Sequence, residues 1–189
     1  MKLVKEQSKS IVSILIELSK FNILSLVLVA TFLGFYLGSE GILNYNKLIL
    51  TLIGTALTAA GSGSLNHYLE KDSDKKMQRT CNRPLPSGNL SPLFAVLYGT
   101  SMVVFGSIFL AFYANILTGF LSLLTAFLYI AIYTPLKKIT WLNTSIGSIP
   151  GAIPIIGGWT AATGEIGTMA WILFGIMYLW QHPHFYAIA

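Results

Sequence analysis

Acidic side chains are scarce in this sequence. Seven of its 189 residues are Asp or Glu, against twelve Lys or Arg, and charged residues make up 10% of the chain. A soluble domain carries about 25% charged residues, so a soluble globular fold is excluded. Cysteine is almost missing as well. The single Cys81 rules out an internal disulfide framework and reads as an ordinary loop residue. The cations are spread over segments that flank apolar runs, with no single basic face, which argues against a nucleic-acid partner. What is abundant is apolar: 54% of the chain is hydrophobic. The apolar runs are continuous and about 20 residues long, whereas a membrane-spanning strand alternates over about 10. The reading is an all-α integral membrane protein, with one domain over residues 1–189.

Residues 1–20 read as an amphipathic helix lying at the membrane interface. Ser10, Ser13, Glu17 and Lys20 recur on one side, and Ile11, Ile14, Leu15 and Leu18 fill the other. The apolar run that follows is too long for a signal-peptide h-region. Six spans are expected, over roughly residues 21–37, 48–65, 93–113, 116–133, 141–163 and 168–189. Lysine and arginine orient them. Lys2, Lys5, Lys9 and Lys20 precede the first span, five cations follow the second, and Lys137 and Lys138 follow the fourth. The intervening loops are poor in cations, so the N-terminus and the loop after the second span are expected on the cytoplasmic face. The N-terminal segment has no arginine and contains two glutamates, which favours a bacterial-type plasma membrane over organelle targeting. Gly34-x3-Gly38 and Gly147-x3-Gly151 fit small-residue helix packing. Pro150 and Pro154 predict that the fifth span is kinked or broken.

The stretch from Asn66 to Gly88 stands apart. Asp72 and Asp74 are the only aspartates in the chain, and with Glu70 they share this stretch with Lys71, Lys75, Lys76, Arg79 and Arg83. Ionised residues at a bilayer centre cost roughly 2.5–3.5 kcal/mol each on insertion scales, so the cluster belongs outside the hydrocarbon. It is either a solvated loop whose charges set topology or a site. Asn66, Glu70 and Asp74 are four apart and share one helix face if the second span extends that far. Asp72 points nearly the opposite way unless the helix unwinds near Lys71. A row of oxygen ligands suits Mg²⁺, which takes one or two carboxylates, keeps waters and binds substrate phosphate. Arg79 and Arg83 offer planar forks that match phosphate oxygens. Carboxylates, a bridging metal and arginines together make a diphosphate site.

At these residues the sequence resembles the UbiA superfamily of intramembrane prenyltransferases, whose first acidic motif is an Asn followed by acids at four-residue steps. Three further stretches carry the likeness, and carry it towards the branch that prenylates haem. Residues 75–88, KKMQRTCNRPLPSG, are similar to M-x-R-T-x2-R-P-L-P-x-G. Residues 133–161, from YTPLKK to GGWTA, are similar to Y-T…K…T…N-T-x2-G…G-A-x-P…G-W-x-A. Residues 180–185, WQHPHF, are similar to W-Q-x-P-H-F. The likeness runs from about residue 18 to the end, with matching order and spacing.

The resemblance implies a UbiA-type multi-helix bundle of about nine helices in the whole protein. It implies transfer of the farnesyl group of farnesyl diphosphate to a vinyl group of haem B, with addition of water, to give haem O and diphosphate. The lipid bilayer is then its setting, and haem A synthase or terminal oxidase assembly its downstream partners. By position, Asn66, Glu70 and Asp74, with Asp72 as a further candidate, would hold Mg²⁺ and diphosphate. Arg79, Arg83 and Lys75 would bind the diphosphate. His182 and His184 flank Pro183, which pushes His182 away from helical geometry, so the two rings are expected to converge. A haem iron commonly takes an axial histidine, and His184 is favoured. His67 reads as a neighbour of the motif.

Two departures accompany the resemblance. Where the family often has a Lys-Pro-Arg run, this chain has Lys20-Phe21-Asn22, so a cation is missing there and no phosphate role is assigned to that end. After Asp74 the only acid is Glu165, so the family's second acidic motif is not in this chain. The expectation is a C-terminally incomplete, inactive piece of a longer enzyme. Three other readings compete: a UbiA-type enzyme with a quinone or chlorophyll precursor as acceptor, a divalent-cation transporter or channel, and a non-catalytic helical scaffold.

Overall fold

The computed structural model describes residues 10–137 and 139–188. Lys2, Lys5, Lys9 and Lys138, which entered the orientation argument, lie outside the described residues. A short helix α1 (Ile11–Leu18) leads into six long ones: α2 (Phe21–Gly38), α3 (Tyr45–Asp74), α4 (Pro92–Tyr113), α5 (Ile116–Leu136), α6 (Asn143–Thr163) and α7 (Thr168–Ile188). No strand occurs among the described residues. By length and composition α2, α3, α4 and α5 are apolar enough to cross a membrane. The six expected spans therefore correspond to six long helices, four of which have the composition of a span.

Local sequence sets the helix ends. Ser10, Asn44, Ser91 and Asn115 each cap a following helix by accepting a backbone N–H with the side chain. Pro92 sits at the start of α4, where its missing N–H costs nothing. Gly164 closes α6 in the left-handed conformation, φ 91°. The helices from α2 to α6 pack in sequence, and α6 returns onto α2 to close a ring, with α7 against α6.

Two close approaches hold the ring. A Cβ on Gly34 of α2 would lie 1.9 Å from the Ile155 carbonyl oxygen, and one on Gly158 of α6 would lie 1.9 Å from the Thr31 carbonyl oxygen. Without side chains at these points, the two backbones touch. Gly147 and Gly151 also sit at helix-to-helix contacts, against side chains of α5 and α7 rather than backbone. Gly147 makes room for the Tyr133 ring and Gly151 for the Gln181 side chain. Gln181 is buried there and donates to the Ser148 carbonyl at 3.2 Å.

Of the two alternatives for the fifth span, kinked or broken, the structure excludes the break. α6 is not broken at its prolines: it runs unbroken from Asn143 to Thr163 with Pro150 and Pro154 inside. Both rings are buried among neighbouring helices, whose packing offsets the lost backbone bonds. α1 has the expected apolar side, and part of that side packs against the protein. Its Ile14 and Leu18 are buried against Leu85 and Ala95, so it clamps the loop after α3.

Gly158→Ala is expected to destabilise the whole protein by about 1–3 kcal/mol through overpacking. Gly157→Ala, whose added Cβ meets nothing within 4 Å, is expected to be tolerated. Thermal unfolding of the purified full-length protein in detergent compares them; equal stability contradicts the close approach.

Candidate functional site

α3 is 30 residues long and continues past the apolar stretch to Asp74. It therefore stays helical through Lys71, and the four-residue spacing puts Asn66, Glu70 and Asp74 on one buried face. Asp72 is exposed. The condition under which it would join the cluster, unwinding near Lys71, is not met. The helix remains regular because its last turn is capped from the loop: the Met77 N–H donates to the Asp74 carbonyl at 3.2 Å and the Thr80 hydroxyl at 2.9 Å.

A buried carboxylate needs a cation or several donors. Here three separate segments supply cations. Arg83 Nη1 lies 2.7 Å from Asp74 Oδ2. Lys137 Nζ, from the end of α5, lies 3.1 Å from Glu70 Oε1. Lys20 Nζ, from the turn between α1 and α2, lies 3.7 Å from Glu70 Oε2 and also donates to Asn66 Oδ1. Lys20 holds this position in the left-handed region, φ 48°, a conformation that costs a residue with a Cβ about 1–2 kcal/mol. Burial holds its ammonium below the usual lysine range, against the opposing pull of Glu70.

The side-chain amide of Asn66 is fixed as well. Its Nδ2 donates to Thr134 Oγ1 at 2.9 Å, and that hydroxyl donates to the Tyr129 carbonyl at 2.8 Å. The link spans five residues because α5 opens into a π-helical turn over Leu128–Tyr133. Such turns recur at functional sites. This one carries Thr134 to the Asn66 amide and leaves Lys137 within reach of Glu70.

The loop is ordered rather than loosely solvated. Thr80 and Pro84 are buried, Leu85 packs under α1, and successive turns bring Arg83 back over Asp74. Lys75 and Arg79 are exposed, and the structure does not bring them into the cluster. Lys20, Lys137 and Thr134 are functional candidates that the sequence reading missed. Lys137 and Thr134 lie in the Y-T…K pattern, which was the signal available. Lys20 stands where the departure from Lys-Pro-Arg had removed any expectation.

The two C-terminal histidines do not converge. α7 continues through Pro183, so residues two apart stand about 200° apart around the helix. His182 is pinned in helical position, with Nδ1 2.9 Å from the Tyr178 carbonyl and Nε2 3.0 Å from Ser145 Oγ. A carbonyl only accepts, so Nδ1 carries a proton and donates to it, and Nε2 shares a hydrogen bond with the Ser145 hydroxyl. His184 is exposed and stacks on Trp180 at 4.9 Å. The Ser145 contact puts this end of α7 beside the start of α6, at the same end of the bundle as the acidic cluster.

The oxygen set fits a hard divalent cation. Asn66 Oδ1 and Glu70 share the Lys20 ammonium, Glu70 also meets Lys137, and Asp74 is paired separately with Arg83. Among the described residues no three His, Cys, Asp or Glu side chains gather closely enough to form a metal cage. A divalent ion held here would have to complete its shell with water and phosphate oxygens.

The chain is similar to known proteins. The model of the UbiA prenyltransferase family matches residues 27–189. Protoheme IX farnesyltransferase of Salinibacter ruber is 47% identical over 172 residues, covering 91% of this chain and 61% of that protein. The mitochondrial protoheme IX farnesyltransferase of Homo sapiens is 43% identical over 185 residues, covering 98% of this chain and 42% of that protein. The chain thus spans less than two thirds of the length of these relatives. A solved structure concerned with digeranylgeranylglyceryl phosphate synthase superposes with TM-score 0.78 at 18% identity, over 89% of this chain and 58% of that one, a likeness of fold.

Arg83→Leu is expected to cost about 1–3 kcal/mol, because it leaves the buried Asp74 carboxylate without its guanidinium. Arg83→Leu combined with Asp74→Leu is expected to cost less than Arg83→Leu alone. Unfolding of both variants in detergent measures the difference; additive losses contradict the pairing.

Proposed function

This chain belongs to the UbiA prenyltransferase family, and from that premise we propose that the protein of which it is part transfers the farnesyl group of farnesyl diphosphate to a vinyl group of haem B, forming haem O. The observation that carries the proposal is the buried row Asn66, Glu70 and Asp74, met by Lys20, Lys137 and Arg83 from three other segments. The acceptor comes from the relatives named as protoheme IX farnesyltransferases.

The reaction breaks the allylic C–O bond of the donor. Diphosphate leaves with the bonding electrons, and the prenyl fragment carries the positive charge. A vinyl carbon of the acceptor supplies the electron pair for the new C–C bond. The resulting porphyrin-side cation then takes hydroxide from water, whose proton is released. The step the protein must favour is departure of an anion, and preorganised positive charge favours it most. Lys20, Lys137 and Arg83 bind and orient that anion. Asn66, held by Thr134, and the Glu70 and Asp74 carboxylates would hold Mg²⁺. When bound, that ion neutralises phosphate oxygens and makes diphosphate a better leaving group.

Lys75 and Arg79 are then outer contacts that meet the diphosphate on approach. His184, exposed beside Trp180, is the better placed of the two histidines to meet a haem iron, since both nitrogens of His182 are engaged. The setting is a bacterial-type plasma membrane with the cluster facing the cytoplasm, and terminal oxidases consume the product.

The test uses the complete gene, expressed in a membrane supplied with haem B and farnesyl diphosphate. Extracted haems are identified by mass for wild type and Asp74→Ala. A hydroxyethylfarnesyl haem is expected in wild type, with a loss of at least about 100-fold in the variant. No such haem from intact, well-expressed wild type overturns the acceptor and points to a quinone-type ring. Equal amounts from both proteins remove Asp74 from the chemistry.

A further inference from the structure

His67 stands inside the cluster, and the mechanism above does not use it. Its side chain is 2% exposed. Neither ring nitrogen has a hydrogen-bond partner, and both are sealed from solvent. Roughly nine in ten buried polar groups find a partner, so an imidazole with neither end satisfied is an exception that needs a reason. A neutral imidazole always presents one N–H donor.

Its placement supplies the reason. On α3, His67 lies within about 20° of Asp74 and about 60° of Glu70 around the helix axis. The charged groups close enough to act on the ring are Lys20, Arg83, Asp74 and Glu70. One turn earlier, Gly63 lies against the turn between α1 and α2, where a Cβ would be 2.8 Å from the Leu18 carbonyl oxygen. That face of the helix is therefore closed by the backbone leading to Lys20. Neither carboxylate accepts from the ring; both are paired with cations.

The Lys20 and Arg83 side chains are 17% and 26% exposed, so each reaches the cluster from a partly solvated position.

We propose that His67 is a further ligand of the donor's diphosphate, donating its imidazole N–H to a phosphoryl oxygen once Lys20 and Arg83 have turned onto that anion. The inference rests on the reading of the cluster as a diphosphate site. The ligand class is a diphosphate, free or esterified to an isoprenoid. Its oxygens accept only, which matches a site where a donor is left over.

The experiment titrates inorganic diphosphate, with Mg²⁺ present, into the full-length protein in detergent by calorimetry. Thermal unfolding without ligand is measured alongside. His67→Leu is expected to weaken diphosphate binding by about tenfold or more, the usual range for a hydrogen bond to a charged group. Its ligand-free unfolding midpoint is expected to equal or exceed that of wild type, since an apolar side chain replaces an unsatisfied polar one. His67→Gln, which keeps an N–H donor, is expected to restore most of the affinity. Should His67→Leu fail to fold, the planar, donor-free His67→Phe takes its place under the same outcomes. Unchanged diphosphate affinity in the donor-free variant overturns the inference and leaves the cluster reading standing. A wild type that binds no diphosphate overturns both.

Discussion

Two carboxylates buried at the end of one helix dictate much of this structure. Glu70 and Asp74 lie on the inner face of α3, where solvent cannot stabilise their charge. Each therefore requires a cation brought by another part of the chain. Arg83 arrives by way of an ordered loop, Lys137 at the end of α5 and Lys20 at a turn held in the left-handed conformation. Three connections between helices are thus tied to one another through charge.

The rest of the bundle serves to hold that end in register. Backbone contact between α2 and α6 at Gly34 and Gly158 fixes the helix that Lys20 precedes. The π turn in α5 shifts the helical phase near its end, which lets Thr134 reach Asn66. α1 presses Ile14 and Leu18 onto Leu85 and so keeps the loop folded back over Asp74. A loop of this composition would be mobile if left alone. Packed under a helix and stitched by Thr80, it is part of the site.

Local geometry also separates residues that look alike in a list of charges. Asp72 differs from Asp74 only by two positions, yet one is exposed and the other buried. His182 and His184 are a similar pair. One is bonded at both nitrogens within the fold, and the other is open beside Trp180. In both cases helical periodicity decides, because an unbroken helix sends residues two apart to different faces.

The sequence by itself determined the class of the protein and the acidic row. Long apolar runs exclude a soluble fold, and a four-residue spacing shares a helix face whatever surrounds it, since both follow from local chemistry. The quoted motifs were enough to reach the family. What sequence could not decide was which cations meet which carboxylates. Lys20 lies 46 positions from Asn66, and Lys137 lies 67 from Glu70. No periodicity links such positions, and their meeting depends on which helices pack together. The same holds for the unbroken α6: local rules predict a kink or break at proline, but burial of Pro150 and Pro154 among neighbouring helices outweighs one or two lost hydrogen bonds. Tertiary packing made those choices, because the free energy of burying a charge or a ring is set by its surroundings in space and not by its neighbours along the chain.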